Sequence, residues 1–237
     1  MENAVLIVAG RRRFSLLCCL AALVVLVAAT PGRSAYSGSS VATFGVPTPA
    51  STSPVYSGVG TNEFRFGAPS AGSTQNILLM EGLPFLTEMD TPFLVSHLTY
   101  TNGRTAVTSG IDSVPVDISL TFNDPVNFAR TFHFIFDFTL TPNTTGNPIL
   151  DADTFTPITV QPVTTFDMDG KVYTLRLLGF SNDGGHTIVT SFTLPEDATT
   201  HSDLFGEIAA PVPAPTAVLL GTLGTGLVRW LRRRRIV

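Results

Sequence analysis

The chain has 237 residues and a formal charge of −4 that hides a partition, because nine of its fourteen basic residues lie near the two ends: Arg11, Arg12, Arg13, Arg33, Arg229, Arg232, Arg233, Arg234 and Arg235. Between residues 36 and 210 five basic residues face seventeen acidic ones, a net charge of −12, which repels nucleic acid and anionic headgroups and excludes DNA or RNA as an expected partner. With a segment set aside at each end, roughly 175 residues remain, enough for one domain with a single core.

The N-terminus carries the arginines at 11–13, an apolar run over 14–29 and then Thr30, Pro31 and Gly32, which stop a helix. That is the layout of a secretory signal peptide over residues 1–29, with a cut expected after Ala29; a retained signal anchor would export the body equally. The Sec export machinery is the partner this implies. Cys18 and Cys19 are the only cysteines and would leave with the leader, so the mature body is expected to hold no disulfide, thiol nucleophile or thiolate-bound metal.

Residues 30–54 read as a flexible Ser, Thr, Pro and Gly segment, and the looseness runs on to Val59. Beyond it the hydrophobic period is 2 rather than 3.6, the mark of half-buried strands. Strands are expected over 62–66, 93–100, 116–122, 132–140, 164–168, 172–178 and 187–194. The clearest runs are Phe132, Phe134, Phe136, Phe138 and Leu140, which take one face, and Val116, Ile118, Leu120 and Phe122. Asp169-Gly170 joins two strands as a tight hairpin, since both positions tolerate a positive φ. No helical stripe occurs outside the termini. The expected fold is all-β, an antiparallel β-sandwich with a jelly roll among its candidate topologies, flanked by an N-terminal signal helix and a short C-terminal transmembrane helix. The seventeen phenylalanines are expected chiefly as core, each worth roughly 1.5 to 3 kcal/mol when buried.

The tail, residues 209–237, starts with Pro211, Pro213, Ala214 and Pro215, continues through an apolar run over 216–228, and ends in Arg229, Arg232, Arg233, Arg234 and Arg235. The run is shorter than the 20 or so residues of a comfortable span, and its arginines would stay on the cytoplasmic side. This three-part tail resembles the PEP-CTERM sorting signal of bacterial exported proteins, with Ala214 where that signal carries glutamate. The resemblance implies a transient hold in the inner membrane, cleavage by an exosortase-like processing enzyme and passage to the cell surface or extracellular matrix. A plain C-terminal anchor is the other reading of the same residues.

Five stretches of the body are, in order, Gly60-Thr61-Asn62-Glu63-Phe64-Arg65-Phe66-Gly67, Leu98-Thr99-Tyr100-Thr101-Asn102-Gly103, Thr141-Pro142-Asn143-Thr144, Tyr173-Thr174-Leu175-Arg176-Leu177-Leu178-Gly179-Phe180 and Leu204-Phe205-Gly206. Together they resemble the choice-of-anchor K domain, a bacterial extracellular module, across residues 55–208. Phe66 stands where the resemblance leads one to expect Trp, and Phe205 where it leads one to expect Tyr. The resemblance implies location and architecture and brings no catalytic residue or ligand.

The residues themselves offer little chemistry. No HExxH, GxSxG, P-loop or dinucleotide fingerprint occurs, and His97, His133, His186 and His201 lack zinc spacing. Asp151 and Asp153, Asp167 and Asp169, and Asn182 and Asp183 put oxygen donors of the kind calcium prefers into expected loops, but ordinary turn roles account for them, so neither a catalytic residue nor a metal ligand is assigned and no cofactor is expected. Asp117 and Asp137, outward on neighbouring strands, are the one pair worth testing as glycosidase carboxylates. The reading is therefore a non-enzymatic surface or matrix protein, with extracellular polysaccharide or other surface proteins as its partners. The alternative is a carbohydrate-binding or glycan-cleaving module, which would need exposed aromatic rings from Tyr36, Tyr56, Tyr100 or Tyr173.

Overall fold

The computed structural model describes residues 35–125, 127–160 and 163–209. Fourteen strands follow one another: β1 Tyr36–Phe44, β2 Thr48–Pro49, β3 Tyr56–Ser57, β4 Glu63–Phe66, β5 Asn76–Gly82, β6 Pro84–Thr87, β7 Phe93–Asn102, β8 Ile111–Asp124, β9 Phe128–Thr139, β10 Asp153–Thr159, β11 Val163–Met168, β12 Lys171–Ser181, β13 Phe192–Leu194 and β14 Ala198–Ala209. A 3-10 turn at Val107–Ser109 is the one helical element among the described residues. Both sheets are antiparallel and seven-stranded. The first runs β13-β10-β9-β8-β1-β6, with β2 added to β8, and the second β11-β12-β14-β7-β5-β4-β3. The all-β, sandwich-like expectation is thus met. The signal helix and the transmembrane helix lie outside the described residues, and no helix among those described is long and apolar enough to cross a membrane.

Alternation decides which side chains go between the sheets. On β9, Phe132, Phe134, Phe136 and Phe138 point inward and Thr131, His133, Asp137 and Thr139 outward, as their spacing predicts. Val116, Ile118, Leu120 and Phe122 of β8 are fully buried. Rings from the two sheets interdigitate: Phe66 meets Phe138 at 4.8 Å between centroids, Tyr100 meets Phe155 at 4.8 Å, and Phe166 meets Phe128 at 4.3 Å. Such offset and edge-on contacts add to area burial. The β11–β12 hairpin turns at Asp169 (φ 51°) and Gly170 (φ 71°), with Met168 opposite Lys171, as expected for that dipeptide.

Several expectations need correction. The segment up to Val59, read as loose, contains β1 and the short strands β2 and β3, and β1 is no connector: it lies between β6 and β8 in the first sheet. The folded domain therefore includes residues from Tyr36 onward, well before the expected start at 55. Its inward positions are Tyr36, Gly38, Ser40, Ala42 and Phe44, so small and polar residues mask the alternation. They are small for a reason. A Cβ on Gly38 would lie 2.3 Å from the Thr121 carbonyl oxygen and 2.5 Å from the Phe85 ring. The Ser40 hydroxyl donates to the Val95 carbonyl oxygen and accepts from the Leu83 N–H at 2.9 Å, tying β1 to the corner before β6 and to the facing sheet. Strands β5, β6, β10 and β14 were also not expected. Of the strand expected over 187–194, only Phe192–Leu194 forms, and Val189 makes an isolated bridge to Phe180.

Candidate functional site

The outer faces carry cross-strand polar pairs. His133 Nδ1 lies 2.6 Å from Asp117 Oδ1 across β8 and β9, and His97 Nδ1 lies 2.5 Å from Asp203 Oδ1 across β7 and β14. His201 Nδ1 meets Thr99 Oγ1 at 2.9 Å. These histidines are hydrogen-bonded strand residues. Because both partners in each His–Asp pair are about half exposed, those two pairs contribute little to stability.

The glycosidase test fails on register. Asp117 is opposite His133, whereas Asp137 is opposite Ser113. At about 3.3 Å per residue the two positions are offset by some 13 Å along the ladder, so they are not the directly facing neighbours that a carboxylate pair calls for. The tyrosines bear on the carbohydrate alternative. Tyr36 and Tyr100 are fully buried and Tyr173 nearly so, while Tyr56 is 40% exposed. One exposed ring makes a poor stacking platform.

Of the acids expected in loops, Asp153 instead opens β10 and Asp167 lies exposed on β11, because strand pairing extends to both, while three others have structural tasks. Asp169 occupies the hairpin turn. Asp183 accepts from Ser181 Oγ at 2.6 Å and from the Thr187 N–H at 2.8 Å, bonds that hold its carboxyl well below the ordinary range. Asp151 accepts from the N–H groups of Thr145 and Gly146, at 3.3 and 3.1 Å, and so ties down the 142–150 loop from inside. Among the described residues no group of three His, Cys, Asp or Glu side chains is arranged to hold a metal ion.

The most unusual electrostatics lie at the sandwich end built from the 141–153 loop, the start of β10 and the turn between β13 and β14. Asp151, Asp153 and Glu196 are all buried there, between 3 and 5% exposed. One oxygen of Asp153 accepts from Thr141, from the N–H at 2.6 Å and the hydroxyl at 3.1 Å. Glu196 differs: both its carboxylate oxygens are buried without a hydrogen-bond partner, and so is Asn143 Oδ1, whose own amide nitrogen donates to the Thr105 carbonyl at 3.0 Å. Burial, then the charges of Asp153 and Asp197, push the Glu196 carboxyl up to about 7, against the opposing pull of Arg104. Asp153 is raised by burial, an effect its bonds to Thr141 partly offset. The Tyr100 hydroxyl is raised by burial and by the same two carboxylates. Arg104 is engaged elsewhere, pairing with Asp197 at 2.8 Å. A cavity of about 210 Å³ opens beside Asp153, with Thr105, Ile111, Phe138 and Thr141 on its walls.

Sequence reasoning placed Asp151 and Asp153 in loops but did not see Glu196, whose Pro195-Glu196-Asp197 context reads as an ordinary polar turn. The sorting-signal residues Pro213, Ala214, Pro215, Arg229, Arg232, Arg233, Arg234 and Arg235 lie outside the described residues. Compared with known proteins, the chain matches no protein-family model and no curated protein.

Proposed function

We propose that the chain is an exported, non-enzymatic bacterial protein of the cell surface or extracellular matrix, delivered by the Sec machinery and held briefly in the inner membrane by a PEP-CTERM-like tail that an exosortase-type enzyme removes. The observation that carries this reading is the layout of charge and hydropathy: two apolar runs, each flanked by arginines, enclose a body of net charge −12 without cysteine. Removing both cysteines with the leader suits an oxidising exterior. The body is read as a choice-of-anchor K-like domain of jelly-roll type, a reading supported by a chain that passes repeatedly between the two sheets, from β5 to β6, β6 to β7 and β10 to β11. Display rather than catalysis is supported by the offset between Asp117 and Asp137 and by the burial of Tyr36, Tyr100 and Tyr173. Extracellular polysaccharide and other surface proteins are the proposed partners.

Expression with one epitope tag just before Pro211 and another after Val237, followed by fractionation, tests the proposal. The first tag is expected outside the cell or at its surface and the second lost. An intact chain in the cytosol with both tags would overturn export, and both tags together in the inner membrane would reduce the tail to an anchor.

A further inference from the structure

Three carboxyls are buried at one end of the sandwich, and one of them has no hydrogen-bond donor. Asp151 is satisfied by loop N–H groups and Asp153 is half satisfied by Thr141, but Glu196 faces them with both oxygens sealed from water and unpartnered. An isolated buried carboxylate is so costly that it takes up a proton instead. We propose that Glu196 carries a proton in the closed structure and acts as a latch on the 141–153 loop, which opens to water when Glu196 releases that proton.

The connection between acid and loop is geometric. The Glu196 N–H donates to the Pro148 carbonyl at 3.2 Å, so the turn bearing Glu196 is docked on the loop. The charged groups acting on Glu196 are Asp153 at the start of β10, Asp151 in the loop, Asp197 beside it and Arg104 after β7, and its charge is felt in turn by Tyr100 of β7. Arg104, already paired with Asp197, is the single cation of the set. On ionisation the Glu196 O–H bond breaks, the proton passes to solvent, and a charge appears that no neighbouring donor satisfies. Water reaches it most directly if the turn and the loop part. At the tip of that loop Ile149 and Leu150 are 74 and 68% exposed, so the latch governs how firmly an apolar tip is presented.

The sign follows from linkage. A carboxyl whose folded pKa is near 7, against an ordinary 4.5, keeps an extra proton on the folded state between those values. Its contribution therefore favours the fold at acid pH and fades as pH rises through that window. The test uses the full chain in mild detergent, comparing wild type with Glu196→Gln from pH 5 to 8. Expected is a wild-type melting temperature that falls with pH by several degrees more than that of Glu196→Gln, the difference between the two cancelling whatever other ionisations they share. Amide exchange at Thr145 and Gly146, corrected for intrinsic rate, is expected to quicken toward pH 8 in the wild type alone. Parallel pH profiles in the two proteins would overturn the latch. So would a wild-type melting temperature at pH 8 that rises with calcium chloride while that of Glu196→Gln does not, since a cation would then be the counter-charge. Should Glu196→Gln fail to fold, carbon-detected NMR of the wild-type carboxyls decides: one Glu titrating near neutrality supports the proposal, and none above pH 6 defeats it.

Discussion

Replacing Gly38 with alanine tests whether residues 36–44 are a structural strand or a connector. In the structure the new methyl group would lie 2.3 Å from the Thr121 carbonyl oxygen and 2.5 Å from the Phe85 ring, well inside any real contact distance. The ring can turn, but the carbonyl belongs to β8, whose ladder with β1 extends from Phe44 opposite Val116 back to Ser37 opposite Asp124. Relief therefore requires β1 to withdraw from β8, taking Ser40 from its bonds to Leu83 and Val95. Overpacking of this kind costs typically 1 to 3 kcal/mol, and with backbone as the obstacle the upper figure applies, about 3 kcal/mol. For a domain of this size that is a fall in melting temperature on the order of 6 to 12 °C. Denaturant unfolding of the purified protein measures it, with Val41→Ala as the control because Val41 is 59% exposed on the same strand and its truncation should cost about 0.5 kcal/mol or less. If Gly38→Ala matched that control, β1 would not be packed as described and the domain would begin later in the chain.

Two other substitutions probe separate parts of the argument. Phe155, fully buried among Tyr100, Phe136, Phe138 and Phe192, joins both sheets, and Phe155→Ala is expected to cost about 3 to 5 kcal/mol in urea unfolding; a loss under about 1 kcal/mol would mean that the rings do not interlock. Gly170→Ala adds a methyl with nothing within 4 Å at a φ of 71°, so its cost is the left-handed backbone alone, about 1 to 2 kcal/mol, and an unchanged urea midpoint would show that the β11–β12 turn is not of this type.

The strands legible in the sequence are those whose inward face is made of large apolar residues. Phe132 to Phe138 and Val116 to Phe122 announce themselves because every second residue is big and greasy while the intervening ones are polar. Strand β1 fails that test through Gly38, Ser40 and Ala42, chosen by the crowding of Phe85 and Thr121 and by the need to satisfy Leu83 and Val95. Strand β14 hides for a related reason. Its first half, Ala198 to Asp203, is Thr- and Ser-rich yet aligned along β7, and the buried Ser202 donates its hydroxyl to the Ser181 carbonyl at 3.3 Å. At Gly206 a Cβ would come within 3.1 Å of Val95 Cγ2, so the interior of β14 is tailored to its neighbour. Composition within a segment cannot reveal a fit that depends on a residue 43 or 111 positions away.

The acidic end of the sandwich shows the same limit in electrostatic form. Asp151 and Asp153 are conspicuous in the sequence as a pair of turn acids, and their Asp-Ala-Asp spacing invites thoughts of calcium. Yet spacing says nothing about burial or about donors: Asp151 accepts from the N–H groups of Thr145 and Gly146, Asp153 accepts from Thr141, and of the three only Glu196, 43 residues on from Asp153, is left without a donor. Pairing across β10 and β13, with Asp153 opposite Leu194, brings Glu196 to that end of the sheet. A residue that looks like ordinary turn polarity thus becomes the buried, unpartnered acid of the domain's end, because strand register delivers it to a place where two other carboxyls are already buried and its own N–H docks on the Pro148 carbonyl of the 141–153 loop.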